Sequence, residues 1–271
     1  MKKVLLTISL IANVSFGQVL VQDTFSFHGI DIGDGDGTDN ISIQNFGGGK
    51  YGFEIDTTGF SATGSKLILS YGTKTETDIV GGGDRGGAPF DVITYNGAGL
   101  TEALTVSDFN LSTGGIWYLD GVASDGILRL EMSEADYLSN QITDFGVGLY
   151  AVDGLKTGVQ DTAFGNPDSA ATVTVNTSSG FVVQEAIRNN QSLTPNGTDA
   201  WLTNYDWSSN SYQGLQQYQV VSAAGDYFAP TSNTNTKLVM GGAFEAVPEP
   251  SSFALLAGMF GLTWVMLRRR S

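Results

Sequence analysis

The stretch Gly126-Ile127-Leu128-Arg129-Leu130-Glu131-Met132 decides the fold class of this chain. Leu128, Leu130 and Met132 recur at every second position. Successive side chains of an extended strand point to opposite faces, so this period of two predicts a strand with one buried face. The alternation of Ile41 with Ile43 predicts a second strand of the same kind.

The rest of the body shows the same strand-like pattern. Short segments rich in Thr, Val, Ile and aromatic residues are separated about every 8–12 residues by Gly, Asn, Asp or Ser, as in a sandwich or barrel. Asn96-Gly97 and Asp120-Gly121 supply turn chemistry. We therefore predict an all-β protein, with a single large β-sandwich or jelly-roll-like domain over 18–245 and one further short strand near Trp201–Trp207. The main predicted strands are Asn40–Phe46, Gly52–Asp56, Lys66–Tyr71, Phe90–Tyr95, Gly115–Leu119, Gly126–Met132, Phe145–Ala151, Ala171–Val175, Gly180–Ala186, Gln217–Ser222, Tyr227–Pro230 and Thr236–Gly241.

The composition excludes several classes of function. The chain has 271 residues, with 13 basic residues, 28 acidic residues, one His and no Cys. Disulfides, thiolate metal sites and cysteine nucleophiles are therefore excluded, as are metal sites built from several His residues. The segment 18–250 has 8 basic and 28 acidic residues, a net charge of −20. Such a surface does not favour a nucleic-acid partner.

The N-terminus has the layout of a secretory signal peptide. Lys2 and Lys3 precede an apolar run over Val4–Val14, and small residues follow near Gly17. This order predicts an N-terminal signal helix over 1–17, which signal peptidase removes between Gly17 and Gln18.

The C-terminus combines a short motif, an apolar run and a basic end. Val247, Pro248, Glu249 and Pro250 precede the apolar run Phe253–Leu267, and Arg268, Arg269 and Arg270 follow directly before Ser271. We predict a short transmembrane helix over about 251–267, with the three arginines as the cytoplasmic anchor.

In its order, spacing and terminal position, this segment resembles the PEP-CTERM sorting signal of Gram-negative bacteria, over 246–271. The resemblance implies recognition by an exosortase, a transient stay in the inner membrane and delivery to the cell surface or exopolysaccharide matrix. The same kind of tail is also labelled an ice-binding protein C-terminal domain; that label describes the tail and is no evidence of ice binding.

The body also resembles a β-sandwich module of bacterial extracellular proteins, over about 60–245. The resemblance rests on the order of three segments: Val92–Thr101, Ile116–Leu119 and Gly146–Gly154. It implies a β-sandwich fold and assigns no catalytic residues.

Two glycine-rich loops are candidate ligand sites. The loop Asp31–Asp39 offers closely spaced carboxylates to Ca²⁺, but Asp39 and Asn45 break the register of a helix-loop-helix calcium site, so a solvated acidic loop is the alternative. Gly81–Gly86 matches the spacing of a dinucleotide-binding loop, but a strand follows instead of a helix, so a plain loop is expected. We assign no metal or cofactor.

Aromatic residues cluster near the C-terminal third of the body. Trp201, Tyr205 and Trp207 share one face if the segment is extended, with Thr203 between them and Tyr212 and Tyr218 beyond. Large aromatic residues on a strand face usually belong to a core. The alternative is an exposed platform that stacks on sugar rings.

The single His and the acidic residues are the remaining candidates for catalytic groups. No Ser is paired with His28 in a recognisable motif, so a structural role at a strand end is expected for His28. Glu131 and Glu134 are close in sequence but belong to no recognisable glycosidase array. We therefore predict a non-enzymatic envelope or matrix protein with an adhesive or glycan-binding role and envelope polysaccharide as a partner. The alternative is a secreted carbohydrate-active enzyme.

Overall fold

The structure of the chain is a computed structural model. The residues that it describes are 18–29, 41–61, 66–75, 90–108, 112–121, 126–136, 142–165, 171–189, 201–208, 212–228, 236–247, 258, 260 and 264.

The described residues are mostly strands, with one helical turn over 134–136 in the body. The all-β prediction is thereby confirmed. In chain order the strands are β1 Leu20–Gly29, β2 Gln44–Gly47, β3 Lys50–Asp56, β4 Lys66–Thr75, β5 Val92–Tyr95, β6 Ala98–Gly99, β7 Thr101–Asp108, β8 Ser112–Leu119, β9 Ile127–Ser133, β10 Ile142–Asp153, β11 Asp161–Gly165, β12 Val173–Val175, β13 Gly180–Asn189, β14 Leu202–Ser208, β15 Tyr212–Val221, β16 Gly225–Tyr227 and β17 Thr236–Glu245.

These strands form three five-stranded antiparallel sheets and one two-stranded sheet. The outer sheet has the order β2-β3-β9-β5-β6, the middle sheet β1-β10-β4-β8-β7 and the third sheet β11-β17-β13-β15-β14. The small sheet pairs β12 with β16. The chain thus builds more layers than the two sheets of a simple sandwich.

The middle sheet is buried on both faces, and β4 shows why. Leu67, Ile68 and Leu69 are consecutive and fully buried, although they point alternately to opposite sides. Leu67 and Leu69 join the core beneath the outer sheet, whereas Ile68 joins the core beneath the third sheet. A continuous apolar run is what a strand needs when both of its faces pack against other layers.

Aromatic side chains fill the core between the outer and middle sheets. Phe53 of the outer sheet stacks on Phe145 of the middle sheet, with 4.4 Å between ring centroids. Tyr71 of the middle sheet meets Phe90 edge to face at 5.2 Å. Leu128, Leu130 and Met132 point into this core, as the alternation over Gly126–Met132 predicts. The opposite side chains of β9 are therefore left on the outer surface.

Turn geometry also follows the sequence. Asn96 and Gly97 join β5 to β6 and have φ angles of 51° and 77°. Positive φ at both central residues defines a type I′ turn, the hairpin connection that Asn-Gly favours.

Among the residues described here, no helix is long and apolar enough to cross a membrane. Gly258, Phe260 and Trp264 are helical positions, and the side chains of Phe260 and Trp264 are exposed.

Candidate functional site

The outward face of the outer sheet carries a polar groove. A depression of about 560 Å³ is lined by Glu54, Thr94, Asn96, Gly97, Ile127, Arg129 and Glu131. A second depression of about 360 Å³ shares Glu54 and Ile127 with it and extends toward Asp56 and Thr58. We call this continuous surface the outer-sheet groove.

Strand register places the polar side chains of the groove in rows. Arg129 of β9 lies opposite Glu54 of β3 on one side and opposite Thr94 of β5 on the other. Glu131 is two residues further along β9 and therefore points to the same face. The groove thus alternates acceptors with donors across neighbouring strands.

Arg129 is the centre of the groove. Its Nε lies 2.8 Å from Glu131 Oε1, and its guanidinium carbon lies 3.6 Å from the centroid of the Phe46 ring. The side chain of Arg129 is one-third exposed, and that of Glu131 is 16% exposed. The ion pair and the stacking on Phe46 fix the guanidinium plane while leaving part of it open to a ligand.

Two local features shape the floor and one end of the groove. At Gly52 of β3, φ is +156° and a Cβ would lie 1.8 Å from the Leu130 carbonyl oxygen, so only Gly fits there. At the end of the groove, the Asn96 side-chain oxygen accepts a hydrogen bond from the Ile127 amide at 3.0 Å. That bond ties the β5–β6 turn to β9.

The carboxylate at the other end is held ionised. Asp56 Oδ1 accepts hydrogen bonds from the Thr58 hydroxyl at 2.6 Å and from the Thr58 amide at 2.9 Å. These bonds to the charged form lower the pKa of Asp56.

This arrangement suits a ligand with many hydroxyl groups. A carboxylate accepts hydrogen bonds from hydroxyl groups, and a guanidinium donates hydrogen bonds to hydroxyl oxygens. Neighbouring hydroxyl groups of one sugar ring can therefore bind to both kinds of side chain. The carboxylates of Glu54, Asp56 and Glu131 outnumber the single guanidinium of Arg129, so the groove does not favour an anionic ligand.

The other candidates from the sequence lie elsewhere. His28 is near the end of β1, opposite Gly146, and burial lowers its pKa to about 4, so the ring is neutral at neutral pH. Glu134 is exposed in the helical turn beside Gly49, whereas Glu131 lies in the groove. The structure does not bring these residues together as one site.

Trp201 belongs to a different part of the molecule. It is partly buried and packs against an apolar cluster that includes Val173, Val182 and Val221. Tyr218 stacks instead on Phe181 in the core between the middle and third sheets. Trp201 and Tyr218 therefore do not form one exposed aromatic surface. The backbones of Thr203, Tyr205 and Trp207 lie in β14, but the side chains of Tyr205 and Trp207 are outside the described part.

Several predicted features lie outside the described residues. These are the segment 1–17 with Gly17, the loop Asp31–Asp39, the loop Gly81–Gly86, the motif residues Pro248, Glu249 and Pro250, and the arginines Arg268, Arg269 and Arg270. Across the part of the chain that is described, no group of three or more His, Asp or Glu side chains could hold a metal ion.

Sequence reasoning missed most of the groove. Phe46, Glu54, Thr94 and Arg129 come from four strands, and only pairing brings them together. In the sequence, the groove is indicated only by Arg129 and Glu131, which alternate with the apolar residues of β9 and therefore share its polar face.

Comparisons with protein-family models, with curated proteins and with solved structures found no match to this chain.

Proposed function

We propose that the protein is an exported cell-envelope or exopolysaccharide-matrix protein with a non-enzymatic role, and that the outer-sheet groove binds uncharged polysaccharide. In this proposal signal peptidase removes 1–17. An exosortase then acts on the segment 246–271 while it rests in the inner membrane, and the body reaches the cell surface or matrix.

The case for export comes from the ends of the chain. The basic residues at both ends contrast with the net charge of −20 over 18–250. All strands of the body lie between Leu20 and Glu245, and hence between the two proposed sorting segments. The Val247 amide donates to the Gly154 carbonyl at 2.8 Å, so the body remains tied down up to the proposed sorting motif.

The case for a glycan ligand rests on one observation, the row Glu54–Arg129–Thr94 beside Glu131. It offers donors and acceptors on a rigid sheet, which holds polar groups more precisely than loops do. The excess of carboxylates favours uncharged sugars over acidic ones.

Binding is tested with the secreted body on immobilised neutral and acidic polysaccharides. We expect Arg129→Met and Glu54→Gln to weaken binding to the neutral polymer by at least tenfold, since each removes a charge-assisted hydrogen bond. Glu102→Gln neutralises an exposed carboxylate on the middle sheet and serves as the matched control. Unchanged binding by both groove variants would reject the groove as the site.

A second candidate function is hydrolysis of the same polysaccharide. Glu54 and Glu131 are diagonal neighbours on adjacent antiparallel strands, a relation that places backbone positions about 7–8 Å apart. Glycosidases use two carboxyl groups about 5 to 9.5 Å apart. Release of reducing ends that Glu131→Gln abolishes without loss of binding would establish the enzyme instead of the binding protein.

Sorting is tested separately by fractionation. We expect replacement of Pro248, Glu249 and Pro250 with Ala to leave an uncleaved protein in the membrane fraction. If the variant reaches the medium at its normal size, the sorting proposal fails while the groove proposal stands.

A further inference from the structure

Glu185 is a fully buried carboxyl group between the third and middle sheets. It lies in β13, the central strand of the third sheet, and its exposed fraction is 0%. Val183 and Ile187, two residues to either side, belong to the core between these sheets, so Glu185 points toward the middle sheet as well.

Glycines of the middle sheet make room for this polar side chain. Glu185 Oε1 lies 2.7 Å from the position that a Cβ would take at Gly72. Gln216 of β15 lies against Gly148 in the same way, with its Oε1 at 2.1 Å from the corresponding position. The bare backbone of the middle sheet therefore accepts two long polar side chains from the third sheet.

Gln216 joins the carboxyl group of its own sheet to the backbone of the middle sheet. Its Nε2 donates to Glu185 Oε2 at 2.8 Å and to the Ser70 carbonyl of the middle sheet at 3.3 Å. Two titratable side chains of the middle sheet, Tyr71 and Tyr150, lie near Glu185. Burial raises the pKa of both tyrosines, and the charge of Glu185 acts in the same direction. Among the described residues, no Lys, Arg or His forms an ion pair with Glu185.

Uncharged polar groups surround the carboxyl group. In the described part of the chain, Glu185 Oε1 and Gln216 Oε1 are buried oxygens without a hydrogen-bond partner of good geometry, and so are the hydroxyl oxygens of Ser70 and Tyr150. These groups can donate or accept hydrogen bonds, but none of them carries a charge that would offset an ionised carboxylate. A proton on Glu185 therefore removes a buried charge that has no counter-charge beside it.

We propose that Glu185 is a proton-dependent latch: the third sheet packs stably on the middle sheet while this buried carboxyl group keeps its proton, and ionisation of the group loosens that packing. Burial raises the pKa of Glu185 from 4.5 to about 8, while hydrogen bonds from Gln216 and Ser70 act in the opposite direction. When the interface opens, water reaches the carboxyl group and its pKa returns toward the ordinary value.

The direction of the pH effect follows from these two states. Between pH 4.5 and 8 the closed form keeps its proton and the open form has lost it. Opening therefore becomes about tenfold more frequent with each pH unit in this window and levels off above it, because both forms are then ionised. The packing of the third sheet on the middle sheet is therefore most stable in acid and becomes less stable toward neutral pH.

Hydrogen exchange of the full chain tests the proposal. After correction for the intrinsic rate, we expect protection of β13 and β15 to fall by about 400-fold between pH 5 and 8 in the wild type. Glu185→Gln keeps the shape and cannot ionise, so its protection stays level across this range. Glu134→Gln removes an exposed carboxylate outside the groove and should behave like the wild type. Level protection in the wild type, or an unchanged fall in Glu185→Gln, overturns the latch.

Infrared spectroscopy on the wild type keeps the test decisive if Glu185→Gln does not fold. A protonated, buried carboxylic acid gives a C=O stretching band that a carboxylate lacks. We expect that band at pH 6.5 and its loss as the pH passes through about 8. Absence of the band at pH 6.5 also overturns the proposal.

Discussion

Replacing Gly148 with Ala tests whether the bare backbone of the middle sheet is needed to seat Gln216. A Cβ at this position would lie 2.1 Å from Gln216 Oε1 and 2.8 Å from Asn204 Nδ2. The buried amide of Gln216 would have to move by about 1.3 Å to reach an ordinary contact. Such a shift strains its bonds to Glu185 and to the Ser70 carbonyl.

The expected cost combines two effects. Overpacking a filled interface costs about 1–3 kcal/mol. Each buried hydrogen bond lost adds about 1 kcal/mol, and more where a buried group stays unsatisfied. We therefore expect Gly148→Ala to lower the free energy of unfolding by about 3–5 kcal/mol.

Equilibrium urea unfolding, followed by Trp fluorescence, measures the effect. Gly225→Ala is the matched control, because its Cβ would come no closer than 4.0 Å to Tyr227, and it should stay within about 0.5 kcal/mol of the wild type. Adding Gln216→Ala to Gly148→Ala removes the obstacle, so the double variant should lose less than the two single losses added together. A loss below about 1 kcal/mol for Gly148→Ala, or strict additivity in the double variant, would refute this account.

Three further variants test other parts of the structure in the same unfolding assay. The Lys66 ammonium is almost fully buried and lies 2.5 Å from the carboxylate of Asp120, which is more exposed. We expect Asp120→Asn to lower the free energy of unfolding by about 2–4 kcal/mol, and by more than Lys66→Met does. Only Asp120→Asn leaves a buried charge without its ion-pair partner. The reverse order would contradict the burial of the pair. Gly52→Ala places a Cβ on the Leu130 carbonyl oxygen and should cost at least about 3 kcal/mol, so a stable variant would exclude the described β3 backbone. Trp201→Ala should cost about 1–3 kcal/mol and leave polysaccharide affinity unchanged, whereas a fully stable variant with lost affinity would point to Trp201 as the sugar platform.

Local signals in the sequence were sufficient for the fold class and for one sheet. The alternation of Leu128, Leu130 and Met132 correctly assigns the buried face of β9, and Asn96-Gly97 correctly marks a hairpin turn. Both depend only on backbone geometry over a few residues, which short patterns record directly.

The layering and the groove depend on partners that are distant in sequence. The predicted strand begins at Gln217, whereas β15 begins at Tyr212. Gln216 and Gln217 are buried in that strand, although glutamine is normally exposed, and Gln216 donates to the Ser70 carbonyl of another layer. Burial of this kind is decided by tertiary pairing, so no local pattern predicts it.

The doubly covered middle sheet has a consequence for the time course of folding. Among the described strands, its first strand, Leu20–Gly29, pairs only with Ile142–Asp153, and that strand is completed much later in synthesis. Contacts between distant parts of a chain slow folding, since a large loop must close before they form. A polypeptide of this topology therefore completes its middle sheet slowly, and only after the segment Ile142–Asp153 has been synthesised.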